Sequence, residues 1–375
     1  MKLRDIDKEF MLRAIAIGEN GRLSAPPNPW VGCVIVKSGN IIAEGFHRAP
    51  GESHAEVVAL SMAEDQAKGA TLYSTLEPCS HHGRTPPCVD AIIKAGIKRV
   101  VVGVLDPDMQ VSGKGVAKLR SAGIQVDVAI AEEEVKQSLQ PYLHHRRHKT
   151  PYCLAKVATT IDGRIAAKDG SSQWITCSEA RADAHNLRAE SQAIMVGVGT
   201  AMRDKPKLTA RDSKYDNPKH PLRVILDSKG LFSPPSPLLD VNEAPTLIVT
   251  SEKCSTSKKK EWKKLGAQVL VAPLCSNSGM LEVAYIMKEL AKIGILQLMV
   301  EGGSRLHTSL MCENHINKLV MYVGPKIIGS DGIPFLQKMN LETMKNAIEL
   351  NFCGAHPLGN TVRLEYEKID KSNYS

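Results

Sequence analysis

The sequence predicts an α/β protein of two domains, and three observations carry that prediction. The chain has 375 residues, too many for one ordinary core. Short β-branched runs alternate with amphipathic helical stretches along its length. The alternation breaks once, at the basic run His144-His-Arg-Arg-His-Lys-Thr-Pro151, and then restarts. We therefore place the boundary between domains 1–148 and 149–375.

In the first domain, residues 5–20 carry a helical apolar pattern. Strands follow at 31–36 and 41–46, joined through Ser38-Gly-Asn40. A helix over 54–66 leads into a strand–loop–helix unit at 70–95. The β-branched run 99–105 predicts another strand, followed by a Gly-rich loop, a helix near 115–122 and a strand at 125–128. Helices distributed this way suit a three-layer α/β/α sandwich.

The second domain opens with a strand at 153–159 and a turn at Asp162-Gly163. Thr176-Cys-Ser-Glu179 has the spacing of a capping box and predicts a helix start. Strands are expected at 193–198, 222–227, 245–250 and 267–271, with a helix over 280–292. Gln297-Leu-Met-Val-Glu-Gly-Gly-Ser304 reads as a strand entering a glycine turn and a helix, where backbone N–H groups can hold a phosphate. Residues 318–323 and 361–366 read as edge strands.

Composition narrows the function. No stretch approaches the ~18 apolar residues of a membrane span, and charge interrupts the first ten residues, so a cytosolic protein without a membrane partner is expected. Of the net charge of +8, +6 falls after residue 150, where 29 basic residues face 23 acidic ones; that half better suits a phosphate-rich ligand. Aromatic residues make up only 4%, which argues against a stacking platform for single-stranded nucleic acid. Nine cysteines, seven of them scattered, fit a reducing compartment, but Cys79 and Cys88 stand apart.

His54-Ala-Glu56 opens a predicted helix, while Glu77-Pro-Cys79 and Pro87-Cys88 follow a predicted strand. Either fragment alone would mean little. Together they supply one imidazole, two thiolates and a nearby carboxylate, the donor set of a catalytic zinc ion. Three protein ligands leave the fourth tetrahedral position to a water whose pKa the metal lowers to about 7. Glu56 can take that water's proton and pass it to a leaving amine, the division of labour in zinc nucleobase deaminases. His81 and His82 are rival ligands but lack the adjacent carboxylate. Asp106 and Asp108, after a strand, suit either a turn or a substrate contact.

The second domain has less explicit chemistry and no Gly-x-Gly-x-x-Gly fingerprint. Its Gly302-Gly303 pair is a weak phosphate-loop signal. Arg181, His185 and Arg188 form a basic helical stripe beside Ala180, Ala184 and Leu187, a pattern that often faces solvent.

The motifs Asn28-Pro-Trp-Val-Gly-Cys33, His54-Ala-Glu56 and Glu77-Pro-Cys-Ser-His-His-Gly-Arg-Thr-Pro-Pro-Cys88 resemble the deaminase half of the bifunctional riboflavin-biosynthesis deaminase/reductase family, RibD. Eight residues separate the two cysteines, whereas nucleic-acid deaminases have two. This favours a small phosphorylated pyrimidine over tRNA or DNA. The resemblance implies a cytidine-deaminase-like fold and hydrolytic loss of the 2-amino group from 2,5-diamino-6-(5-phosphoribosylamino)pyrimidin-4(3H)-one. It also implies that Asn28 and His47 contact the base and Arg84 the phosphate; a guanidinium can grip phosphate bidentately.

Lys156-Val-Ala-Thr-Thr-Ile-Asp-Gly-Arg164, Ser172-Gln-Trp-Ile-Thr176, Val198-Gly-Thr200 and Val300-Glu-Gly-Gly-Ser304 resemble the reductase half, which has a dihydrofolate-reductase-like fold. The implied reaction is NADPH-dependent reduction of 5-amino-6-(5-phosphoribosylamino)uracil to its phosphoribityl counterpart. By that resemblance Ala158, Trp174, Thr200, Asp204, Ser228, Gly303, Ser304, Arg305, Leu306, His307, Thr308 and Ser309 line NADPH. Ser172, Arg188, Leu208, Arg211 and Glu301 hold substrate, the two arginines clamping its phosphate. Glu301 or a water is the candidate proton donor, with Glu301 equally suited to anchor hydroxyls. A homo-oligomer, taken as a dimer, is also implied. The rival is a nucleic-acid deaminase with a basic RNA-binding accessory domain.

Overall fold

Residues 33–36, 72–76 and 100–104 are buried almost without interruption, so both faces of the sheet they form must be covered. The computed structural model, which describes residues 3–81, 86–108, 112–276 and 278–369, shows how. It divides into two units, Met1–Thr150 and Pro151–Ser375. The first runs α1 (Leu3–Gly18), β1 (Gly32–Lys37), β2 (Asn40–Phe46), α2 (Ala55–Ala63), β3 (Thr71–Leu76), α3 (Cys88–Lys94), β4 (Arg99–Val104), α4 (Lys114–Ser121), β5 (Gln125–Val128) and α5 (Glu132–His148).

The sheet order is β2-β1-β3-β4-β5. β1 is antiparallel to both its neighbours, and β3, β4 and β5 are parallel. Helix α1 packs on β1 and β3 beside α5, while α2 packs on β1 and β2 beside α3, giving the expected three layers. Gly32 lets α1 approach closely: a Cβ there would lie 1.9 Å from the Ala14 carbonyl oxygen.

The basic run 144–151 is not a linker. His144 to His148 form the last turn and a half of α5, a helix absent from the sequence reading. Its Val135, Leu139, Tyr142 and Leu143 are buried at helical spacing. Three glutamates at its start and the basic cluster at its end complement the helix dipole.

The second unit contains β6 (Tyr152–Thr160), β7 (Arg164–Ala166), α6 (Ser178–Ala189), β8 (Ala193–Gly197), α7 (Val198–Asp204), β9 (Leu222–Leu226), β10 (Thr246–Thr250), α8 (Thr256–Lys264) and β11 (Gln268–Val271). It continues with α9 (Val283–Lys292), β12 (Gln297–Val300), α10 (Ser304–Cys312), β13 (Lys318–Gly324), β14 (Ile333–Pro334), β15 (Leu350–Leu358) and β16 (Thr361–Lys368). Nine strands form one sheet in the order β11-β10-β9-β8-β12-β6-β13-β16-β15, and β7 pairs with β14 separately. Apolar clusters cover both faces of the large sheet.

Two sequence expectations change. Neither β13 nor β16 is an edge strand: β13 lies between β6, to which it is parallel, and β16, to which it is antiparallel, and β16 is covered in turn by β15. Leu319 of β13 enters one apolar cluster, whereas Val320 and Tyr322 enter the other. The charge that suggests an edge, Lys318, is paired with Glu365 on β16 at 2.6 Å. The capping box does not form either: α6 starts after Cys177, which makes no side-chain cap. Tertiary contacts set that start, because Cys177 donates from N to Thr361 Oγ1 (3.1 Å) and from Sγ to the Leu358 carbonyl (2.9 Å). Among the described residues, no helix is long and apolar enough to cross a membrane.

Arg223 on β9 is fully buried and has no carboxylate partner within its sheet; it donates instead to Thr246 Oγ1 and to the carbonyls of Lys207, Pro237, Asp240 and Ala244. One guanidinium thereby ties 207 and the 237–244 segment to the sheet. Arg223→Met strands several buried acceptors at once and is expected to cost at least about 3 kcal/mol. A urea midpoint checks this, and a loss below about 1 kcal/mol would show that the carbonyls find other donors.

Candidate active sites

His54 is the residue before α2, in extended backbone, Cys79 follows β3, and Cys88 is the first residue of α3. The sheet and two helix starts thus deliver the three predicted ligands to one point. His54 Nδ1 lies 3.2 Å from Cys88 Sγ and 3.5 Å from Cys79 Sγ, and the sulfurs are 3.4 Å apart. Ligands about 2.0–2.3 Å from a tetrahedral zinc would stand roughly 3.5 Å from one another, so the triangle fits that ion. The sulfurs are too far apart for a disulfide and both cysteines are free. His81 lines the adjoining cavity but lies outside this cluster. His82 lies outside the described residues.

The two thiols titrate as a pair. Cys79 is pulled down to about 4, first by its hydrogen bond with Cys88, with the His54 hydrogen bond adding to the effect. Cys88 is pushed up, by that same contact and by burial. Glu56, in the first turn of α2, is only 3% exposed, and Ser74 Oγ donates to its Oε1 at 3.4 Å. Burial raises its carboxyl above the usual range, although the His54 imidazole pulls the other way. A buried carboxyl with that bias beside an activated water suits proton transfer in both directions.

The cluster opens into a cavity of about 560 Å³ lined by Asn28, His47, Asp106, Asp108, Tyr142 and Arg146, among others. His47 Nδ1 faces the Ser53 carbonyl at 3.2 Å and can only donate there, so Nε2 accepts from Asn28 Nδ2 at 3.0 Å. The Asn28 side-chain oxygen is not used in this contact. Burial lowers the His47 pKa, which favours this neutral tautomer. Asp106 performs the turn role, accepting Asp108 N at 2.9 Å, yet it also lines the cavity and accepts the Tyr142 hydroxyl at 2.9 Å. Arg84 lies outside the described residues.

Glu77 is a supporting residue that the sequence reading noted only as part of a motif. Its buried carboxylate accepts N–H groups of Gly113 (2.9 Å), Gly115 (2.9 Å), Val116 (3.2 Å) and Asp106 (3.4 Å), pinning the loop two residues before Cys79 to the start of α4. Gly115 permits this approach, since a Cβ there would meet the Pro78 carbonyl at 2.1 Å.

In the second unit the basic stripe on α6 is not a solvated face. Arg188 donates to Glu301 through Nε (2.5 Å) and Nη2 (2.9 Å), and to the Thr209 carbonyl at 3.2 Å. Lys156 Nζ is 3.5 Å from the same carboxylate. Burial alone would raise Glu301, but Arg188 and Lys156 hold it well below the ordinary carboxylate range. Burial, then Arg188 and Arg211, push His185 down to about 4.

Two cavities flank this chemistry. One, of about 400 Å³, gathers Lys156, Trp174, Arg181, His185, Arg188 and Arg211. Trp174, expected with the cofactor, therefore shares the cavity of the substrate-clamp arginines, and Arg181 covers its ring at 4.3 Å. The other, of about 470 Å³, is lined by Thr200, Ser228, Gly303, Ser304, Arg305, Leu306 and Ser309. Gly303 precedes the first turn of α10 with no side-chain cap, leaving its N–H groups for an anion.

Ala158, Ser172, Asp204, Leu208, Glu301, His307 and Thr308 line neither cavity. Leu208 and His307 are core residues at 2% exposure, and Thr308 spends its hydroxyl on Ser304 and Gln337. Lys156 is the cavity residue that the sequence reading passed over; only its position in a quoted motif marked it.

Comparison with known proteins separates the same two parts. Residues 4–104 match the cytidine and deoxycytidylate deaminase zinc-binding region, and residues 151–364 match the RibD C-terminal domain. Riboflavin biosynthesis protein RibD of Chlamydia pneumoniae is 46% identical over 96% of this chain and 94% of its own length. The Escherichia coli protein of that name is 38% identical over 92% of this chain and 95% of its own. Among solved structures, Acinetobacter baumannii RibD superposes with a TM-score of 0.89 at 34% identity, covering 98% of this chain and 100% of that one. A diaminohydroxyphosphoribosylaminopyrimidine deaminase/5-amino-6-(5-phosphoribosylamino)uracil reductase from Thermotoga maritima gives 0.85 at 34% identity, covering 98% and 99%.

Glu77→Gln replaces an acceptor-only group with one that places an amide donor against backbone donors. The Cys79 loop should loosen, weakening zinc affinity by about 10–100-fold. Competition against a chromophoric chelator measures this, and unchanged affinity would remove Glu77 from the support of the metal centre.

Proposed function

The chain belongs to the RibD family, and we propose from this premise that it catalyses two consecutive reactions of riboflavin biosynthesis, zinc-dependent deamination in residues 1–148 and NADPH-dependent reduction in residues 149–375. The observation that carries the first assignment is the His54, Cys79, Cys88 triangle with Glu56 buried beside it. The rival reading, a nucleic-acid deaminase with an RNA-binding accessory domain, finds no support, since residues 151–364 match a RibD domain instead.

In the deaminase cavity His54 Nδ1 and the two Sγ atoms would hold zinc, which supplies a polarised water. Glu56 takes a proton from that water on its carboxylate and returns it to the departing amino group. Asn28, oriented by His47, accepts from the pyrimidine. Water adds at the ring carbon, the carbon–nitrogen bond breaks and ammonia leaves, so the amino group is replaced by a carbonyl.

In the reductase, the cavity at the start of α10 would hold the NADPH phosphates on Gly303, Ser304 and Thr200, and the cofactor supplies a hydride. Arg211, half exposed on the neighbouring cavity, clamps the substrate phosphate. Arg188 instead pairs with Glu301, which lines neither cavity and acts by fixing Arg188 and Lys156. The Lys156 ammonium is the group placed to give a proton to the nascent amine. A homodimer is part of the same proposal and is checked by light scattering.

Glu56→Gln should lower ammonia release by about 10²–10⁴-fold while leaving NADPH oxidation on supplied deaminated substrate within about twofold. Arg188→Ala should show the reverse, with reductase kcat/KM down at least about 10²-fold because Glu301 loses its partner. Coupled assays of both activities on both variants test this; loss of both activities in either variant would contradict the separate assignments.

A further inference from the structure

The deaminase cavity is strongly acidic. Glu52, Glu56, Glu77, Asp106 and Asp108 line it, yet the proposed substrate brings a phosphate. A dianion does not enter such a cavity without a cation to receive it. Among the described lining residues, Arg146 is the one lysine or arginine.

Arg146 occupies the last turn of α5, the helix whose basic end resembles a linker in the sequence. Its guanidinium carbon lies 5.0 Å over the Tyr142 ring, and Tyr142 is fixed by its hydroxyl bond to Asp106. No ion pair joins Arg146 to a carboxylate among the described residues, and its Nε is buried without a hydrogen-bond partner. A guanidinium over an aromatic ring, lining the zinc cavity and with no carboxylate ion pair, is suited to receive an oxyanion through its terminal N–H groups.

We propose that Arg146 is the specificity-determining residue of the deaminase cavity, receiving the substrate's phosphate and so selecting the phosphorylated pyrimidine over its dephosphorylated counterpart. This rests on the deaminase assignment above and adds a phosphate-reading residue to it. It adds a cation on α5 to Arg84, which the family resemblance assigns to the phosphate and which lies outside the described residues.

The test measures ammonia release from the phosphoribosylaminopyrimidine and from the same compound after phosphatase treatment, using full-length zinc-loaded enzyme. For Arg146→Ala, kcat/KM on the phosphorylated substrate should fall about 10–100-fold, mainly through KM, with the dephosphorylated substrate changing less than about twofold. Arg146→Lys should recover part of the loss, since charge returns without the fork. Arg146→Gln, which keeps a flat polar group over Tyr142, carries the same comparison should the alanine variant lose its zinc.

Equal losses on both substrates would overturn the proposal, showing that Arg146 acts only through Tyr142 and Asp106. No loss on either would overturn it too, leaving the phosphate to another cation. A wild-type enzyme that releases no ammonia from either compound would instead remove the deaminase assignment itself, and this inference with it.

Discussion

The metal centre depends on one buried carboxylate that takes no part in the chemistry. Two thiolates and an imidazole from three separate elements must meet within about one tetrahedral edge, and thiolates crowded that closely repel each other until a cation neutralises them. Something else must hold the loop between β3 and α3 in place. Glu77 holds the segment before Cys79 by collecting three backbone N–H groups where α4 begins and that of Asp106 after β4, with Gly115 reduced to a hydrogen so that the Pro78 carbonyl can pass. Charge-assisted hydrogen bonds to backbone donors are strong and directional, which fixes the Glu77–Cys79 segment beside α4.

The second unit uses the same device at its own site. Glu301 is partly buried and gripped by Arg188, with Lys156 close by. A buried pair of this kind adds little net stability, because desolvation offsets most of the attraction. Its value is positional: the carboxylate, the guanidinium and the ammonium keep their spacing while solvent is excluded. The cavity at the start of α10 is built differently, from uncapped helix N–H groups beside Thr200, Ser228, Arg203 and Arg305, a combination suited to an anion.

Both units place their sites where strands of a sheet give way to helix starts. β3 leads to Cys79 and then to α3; β12 leads to Glu301 and then to α10. In each case the strand is buried on both faces and rigid, and the chemistry sits on the first few residues beyond it. Arg146 departs from this pattern, since it reaches the zinc cavity from the end of a helix and owes its position to the packing of α5 against α1 and β4.

The sequence by itself determined the two α/β parts, the zinc ligands and Glu56, because those signals are local: residue type and short spacing suffice when a strand or helix start presents the group. Thr200, Ser228 and the start of α10, which the family resemblance groups together, line one cavity. Only the tertiary structure decided that β13 is interior, that α6 begins at Cys177's tether to β15 and β16, and that the run ending at 148 is helix. It alone showed that Arg188 is engaged by Glu301, that Trp174 shares the arginines' cavity, and that Leu208 and His307 are core. The place of β13, the start of α6 and the Arg188–Glu301 pair depend on strand order or on partners more than a hundred residues away, and a pairing energy between distant residues leaves no trace in the spacing of either one.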